Sequence, residues 1–125
     1  MGANVIGISL NKVSTPSHYD AIGFENHGVN HYFDIRDIKK LKDVIKDSKP
    51  DFIFHLAAQA LVRPSYNNPI DTIAINSIGS ANVLECLRLL QLSTVAIMIT
   101  SDKAYDNVEW AWGYRESDRL GGKDP

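Results

Sequence analysis

Four short apolar runs, separated by polar loops and by stretches of helical periodicity, leave few folds open to this chain. Asn4–Leu10 (NVIGISL), Asn30–Phe33, Asp51–Leu56 (DFIFHL) and Val95–Thr100 (VAIMIT) read as strands, and the third as a buried one. Asn11–Ser17 is polar and reads as a loop. Asp37 can cap a helix in which Ile38, Leu41, Val44 and Ile45 recur at helical spacing, and Lys49-Pro50 ends it. Asn68-Pro69 opens a second helix, with asparagine as the cap and proline where its missing N–H costs nothing. That helix is expected to reach about Leu92. Ile70, Ile73, Ala74, Ser77, Ile78, Ala81 and Leu84 line one face of it, and Ile75, Val83, Cys86 and Leu90 form a second stripe. A helix apolar on two sides packs on two sides, here against its own sheet and a partner subunit. The order strand, strand, helix, strand, helix, strand describes an α/β domain with a parallel sheet. The segment after Thr100, rich in Trp, Gly and charge, reads as loop.

With 125 residues the chain has material for one small domain. A net charge of −2 provides no basic field, so neither nucleic acid nor an anionic membrane is expected as a partner. Phosphate-bearing ligands stay open, because local backbone dipoles hold them. A single cysteine, Cys86, excludes an internal disulfide and reads as a small buried hydrophobe in a reduced, cytoplasmic setting. No apolar run approaches the ~18–20 residues of a membrane span, so the chain is expected to be soluble.

In open α/β sheets ligands bind beyond the carboxyl ends of the strands. Asp34-Ile35-Arg36-Asp37, Ala57-Ala58-Gln59 and Thr100-Ser101-Asp102-Lys103 occupy those places. Each also has a plain structural reading. Asp34 and Asp37 are ordinary turn and cap residues, small residues at a strand end pack against helices, and Ser-Asp after a strand makes a local turn. Asn76 and Gly79 stand out because both are poor helix formers in mid-helix, which implies a side chain or a backbone needed for something else. His27 and His31 flank a glycine in a strand context, and His55 lies in an apolar strand as a satisfied core residue. No metal site is expected.

Three stretches in order, His55-Leu56-Ala57-Ala58-Gln59, Asn76 through Glu85, and Thr100-Ser101-Asp102-Lys103-Ala104-Tyr105, resemble successive signatures of the extended short-chain dehydrogenases/reductases. Within that superfamily Ala58–Tyr66, Ser101-Asp102-Lys103 and Glu109-Trp110-Ala111-Trp112-Gly113-Tyr114-Arg115-Glu116 resemble the CDP-glucose branch of the nucleotide-sugar 4,6-dehydratases. The resemblance implies a Rossmann-like, doubly wound parallel sheet, NAD as cofactor, CDP-glucose as substrate and a homo-oligomeric parent enzyme. Two parts of the family pattern do not occur in the chain: a Gly-x-x-Gly-x-x-Gly turn after a first strand, and a Tyr-x-x-x-Lys pair. Gly121-Gly122-Lys123-Asp124-Pro125 resembles the lead-in to the latter. On this reading residues 1–125 are a partial NAD-binding domain, incomplete at its first strand and inactive alone. Because the strand order of such sheets is 3-2-1-4-5-6, Asn4–Leu10 and Asp51–Leu56 should then not pair, and should face each other across a slot of ~10 Å.

The reaction implied by the resemblance is an internal redox elimination. NAD takes a hydride from the hexose C4, the ketone acidifies the C5 proton, water leaves across C5–C6, and the hydride returns to C6. Elimination needs an acid at the C6 hydroxyl and a base at C5. Most sugar dehydratases of the family carry Thr-Asp-Glu at the strand end, whereas Ser101-Asp102-Lys103 departs from that and matches the CDP-glucose branch. Lys103 is either a base, which requires a pKa well below ~10.4, or a cation that stabilises the enolate. The resemblance further implies that Ser101 bonds the C4 oxygen and Asp102 is the acid. Asp34 and Ile35 would contact adenine, and Ala57, Ala58, Gln59 and Thr100 would lie along the cofactor. Asn76 would order the site, and Arg63 and Tyr66 would meet the substrate. An acidic residue after the first strand present would favour NAD over NADP, but Asn11 and Lys12 stand there. The competing readings are an epimerase or reductase of the same superfamily, for which Asp102-Lys103 has no use, and a non-catalytic remnant.

Overall fold

In the computed structural model, which describes residues 2–12, 14–23 and 28–122, the four apolar runs become strands that pair in parallel twos. His27 and residues 123–125 lie outside the described residues. The strands are β1 (Val5–Ser9), β2 (Gly28–Tyr32), β3 (Phe52–His55) and β4 (Val95–Met98). The helices are α1 (His18–Ala21), α2 (Ile38–Ser48), α3 (Val62–Asn67), α4 (Pro69–Ile73) and α5 (Gly79–Leu90). A π-helical turn, Ala74–Ile78, joins α4 to α5, and a 3-10 turn, Asp102–Ala104, follows β4. Sequence reading missed α1 and α3; α1 is set by a capping box in which Ser17 and Asp20 bond each other's backbone.

β1 pairs with β2 from Val5↔Gly28 to Ser9↔Tyr32, and β3 with β4 from Phe52↔Val95 to His55↔Met98. Parallel pairing needs a crossover between the partners, and both crossovers contain helix. Among the described residues no ladder joins β1 to β3, the separation expected from the sequence. Gly7 is required by its neighbour: a Cβ there would stand 2.2 Å from Oδ1 of Asn30, its register partner.

Asp37 caps α2 by accepting the Lys40 N–H at 3.2 Å, and Lys49, in the left-handed region at φ 44°, closes it. Asn68 departs from expectation. Its side chain makes no capping bond; its carbonyl instead accepts from the Thr72 N–H and hydroxyl, both at 3.1 Å. Pro69 does occupy the first turn.

The core forms where α2 meets α5. Leu41 and Ile45 from the first pack with Val83 and Cys86 from the second, against Ile8 of β1, Ile53 of β3 and Phe33 just after β2. Both long helices therefore cover the same face of the strands. The other face is open, which corrects the reading of Asp51–Leu56 as buried: Phe52 and Phe54 are 60% and 62% exposed. The two apolar stripes of the long helix fare differently within the chain. Its second stripe enters the core through Val83 and Cys86, whereas Ile70, Ile73, Ile78 and Leu84 of the first are exposed. By length and composition the 22-residue helix Pro69–Leu90 could cross a membrane, a property that counting contiguous apolar residues did not reveal. In this fold its Asn76, Ser80 and Asn82 side chains are bonded to neighbouring segments.

Candidate cofactor and substrate site

Because β3 and β4 run parallel in register, the segments leaving their carboxyl ends emerge side by side, and the Ile99 N–H still donates to the His55 carbonyl at 3.1 Å. Ala57, half-buried, and Ala58, exposed, lead to Gln59. There the oddity of Asn76 is resolved. Its Oδ1 accepts the Gln59 N–H at 2.8 Å and its Nδ2 donates to the Gln59 carbonyl at 3.1 Å, so one amide imitates a strand partner. Asn76 sits in the π-helical turn, a helix irregularity that often marks functional positions. The Gln59 side chain bonds the Leu61 backbone and, at 3.2 Å, the Thr72 hydroxyl.

His55 lies beneath this loop, 6% exposed, with Nε2 at 2.8 Å from the Ser80 hydroxyl. That hydroxyl donates to the Asn76 carbonyl at 2.6 Å, so its oxygen accepts and the His55 proton belongs on Nε2. Burial holds the imidazole pKa below its ordinary value, in keeping with a neutral core histidine.

The turn after β2 is held equally firmly. Asp34 Oδ1 accepts the Arg36 N–H at 2.8 Å, and the Arg36 guanidinium forks onto the same carboxylate through Nε at 3.0 Å and Nη2 at 2.6 Å. Arg36 Nη1 reaches Asp71 on α4 at 2.5 Å. Hydrogen bonding from Arg36 pulls the Asp34 pKa down, keeping it an ionised acceptor. Asn82 Nδ2 donates to the Ile35 and Arg36 carbonyls at 3.1 and 3.3 Å. Gly79 answers for its poor helix propensity by leaving room for Ile35, since a Cβ there would stand 2.4 Å from Ile35 Cδ1. Helix α4 thus ties two strand ends together through consecutive residues, Asp71 to the β2 turn and Thr72 to the β3 loop.

After β4, Thr100 and Ser101 are exposed, and the Ser101 hydroxyl accepts the Lys103 N–H at 3.2 Å, the local turn that Ser-Asp suggested. The Asp102 backbone lies in the 3-10 turn; its side chain is outside the described residues. Lys103 borders an open cleft of about 280 Å³ shared with Tyr105, Asp106, Asn107, Arg119 and Leu120. The segment read as loop closes on itself there. Tyr105 bridges Leu120, the Asp106 N–H donates to Arg119 at 2.9 Å, and the Tyr105 ring stacks on Tyr114 at 5.1 Å. Arg63 and Tyr66 sit exposed on α3, beyond the Gln59 loop. After β1, Lys12 pairs with Asp20 and lies 4.9 Å over the Tyr19 ring. Among the described residues no group of His, Cys, Asp or Glu could hold a metal.

Sequence reading gave roles to Asp34, Ile35, Gln59 and Asn76 and named Arg36 at the strand end without one, but missed Asp71, Thr72, Ser80 and Asn82, which hold them. Only Asn82 carried a signal, as a second asparagine inside the long helix.

A family profile described as GDP-mannose 4,6 dehydratase matches residues 2–125. The chain belongs to this dehydratase family. A CDP-glucose 4,6-dehydratase of Salmonella typhimurium (strain LT2) is 43% identical over 125 residues, 100% of this chain and 35% of that protein. A solved UDP-glucose 4-epimerase superposes with a TM-score of 0.80 at 22% identity, over 98% of this chain and 35% of the other. The UDP-glucose 4-epimerase of Bifidobacterium longum, solved with NAD+ and UDP, gives a TM-score of 0.79 at 19% identity, over 97% of this chain and 36% of that one. At such identities the two epimerases establish the fold, a Rossmann-like α/β arrangement, and nothing further. The chain spans about a third of the length of the family relative and of both structures.

Proposed function

We propose that the protein carrying this segment is an NAD-dependent CDP-glucose 4,6-dehydratase, in which residues 1–125 provide part of the NAD-binding domain and the acid–base triplet. The observation that carries the proposal is 43% identity to a CDP-glucose 4,6-dehydratase over the whole chain.

The residues present suit NAD. Asp34 offers an ionised acceptor to an exocyclic amino group, Ala57 and Ala58 bring only small side chains to the end of β3, and Asn76 holds the Gln59 backbone. When bound, NAD would supply the acceptor and later the donor of a hydride. Ser101 then bonds the oxygen on the sugar C4. Asp102 gives a proton to the departing C6 hydroxyl. Lys103 acts at C5, where it either takes the proton or stabilises the enolate charge by its own charge. Arg63 and Tyr66, exposed on α3, meet the nucleotide-sugar on this reading.

The test is turnover by the full-length protein. CDP-glucose should give CDP-4-keto-6-deoxyglucose, followed by NMR, with UDP-glucose and GDP-mannose as poor substrates. Asp102→Asn and Lys103→Ala should each slow elimination by roughly 10²–10⁴-fold while NAD affinity changes far less. A 4-epimer as product would replace this reading with the epimerase one.

A further inference from the structure

The turn after β2 is bonded more heavily than a turn requires. Arg36 places three donors on the two oxygens of Asp34 and spends its remaining terminal nitrogen on Asp71. A partly exposed Asp–Arg pair contributes little as a charge pair, so the value of the arrangement lies in its geometry. Arg36 cannot swing away, because Asp71 on α4 holds its other end and Asn82 holds the backbone carbonyls on either side. Ile35, packed on Gly79 and 8% exposed, pins the middle of the turn. An ionised carboxylate has about four lone-pair sites. Oδ1 takes the Arg36 N–H and Nε, while Oδ2 takes Nη2 and a share of Nε, which leaves acceptor capacity on Oδ2.

We propose that Arg36 is a positioning residue for base recognition. Anchored on Asp71, it fixes the Asp34 carboxylate so that its remaining acceptor direction meets the amino group of the cofactor's adenine. The inference rests on the reading of Asp34 as the adenine contact. A fixed anionic acceptor selects an amino group over a carbonyl at the same ring position, because a carbonyl there sets two acceptors against each other. A carboxylate free to rotate selects less, since it must be ordered on binding.

The experiment measures dissociation constants of NAD and of nicotinamide hypoxanthine dinucleotide, which carries a carbonyl in place of the amino group, on the full-length protein. Taking the ratio on one preparation removes any dependence on the folded fraction. The unaltered protein should prefer NAD by about tenfold or more. Arg36→Gln should lose most of that preference, with little change in affinity for the hypoxanthine dinucleotide. Arg36→Lys should behave alike, since lysine cannot fork onto a carboxylate. Asp71→Asn should give a smaller loss in the same direction. If Asp34→Asn lowers the ratio and Arg36→Gln leaves or raises it, the positioning role is overturned and the adenine contact stands. If Asp34→Asn leaves the ratio unchanged, the adenine contact fails and the role of Arg36 fails with it.

Discussion

His55 shows how a single side chain can be polar, buried and fully accounted for. It faces the helical layer, donates to the Ser80 hydroxyl, and passes that bond on to the Asn76 carbonyl. Because burial depresses its pKa, the unfolded chain takes up a proton that the folded chain refuses. The stability it supports is therefore complete above the ordinary histidine value of ~6.5 and is lost as pH falls through the lower folded value. Urea midpoints of the full-length protein should drop as pH is taken from about 7 to about 5, and His55→Gln should flatten that part of the profile. An unchanged slope in the variant would assign the pH dependence to another group.

At the scale of elements, the long helix does two jobs with two different stretches. Its α5 half builds the core through Val83 and Cys86 and reaches the β2 turn through Asn82, while α4 and the π-helical turn hold the Gln59 loop. The Asn76–Gln59 clamp joins the two jobs. Replacing Asn76 by Asp keeps an acceptor for the Gln59 N–H but sets a carboxylate oxygen against the Gln59 carbonyl, where a donor stood. The part-buried carbonyl then loses its partner, a change worth about 1–3 kcal/mol. Asn76→Asp should lower the unfolding free energy of the full-length protein by that amount in urea titration and speed backbone amide exchange at Gln59. Loss of stability without faster exchange there would mean that the clamp does not order the loop.

The molecule as a whole is a one-sided layer. Helices α2 and α5 cover one face of both strand pairs, leaving Phe52, Phe54 and Val95 exposed on the other. Ile70, Ile73, Ile78 and Leu84 form a second exposed apolar set along the helix. Among the described residues β1 and β3 are each paired on one side only, and unpaired strand edges are templates for further pairing. The 125-residue chain by itself should therefore associate with increasing concentration, seen as a rising weight-average mass in sedimentation or light scattering. Phe54→Lys should reduce that association. A monomer across the micromolar range would show that these surfaces do not attract one another.

Much of this was legible in the residues. Short apolar runs located four strands and period-3.6 spacing the two long helices, because both are local properties of the chain. Asp37 and Lys49-Pro50 marked helix ends for equally local reasons, and Ala57–Gln59, Asn76 and Thr100–Lys103 followed from strand ends together with family resemblance. Which face of each element is covered was not legible. An apolar stripe on the long helix or in DFIFHL says that burial is favourable, and not which neighbour provides it. Nor could sequence show that Arg36 would meet Asp71, 35 residues on, or that Asn82 would reach back to Ile35. Those bonds depend on α4 and α5 crossing beside the β2 turn, a placement decided only when both strand pairs pack on a shared helical layer. The amino-acid sequence by itself determined the four strands, the two long helices, their order and the chemistry available at the strand ends. Tertiary structure alone decided which side chains hold that chemistry in place, because their partners are distant along the chain and adjacent only after packing.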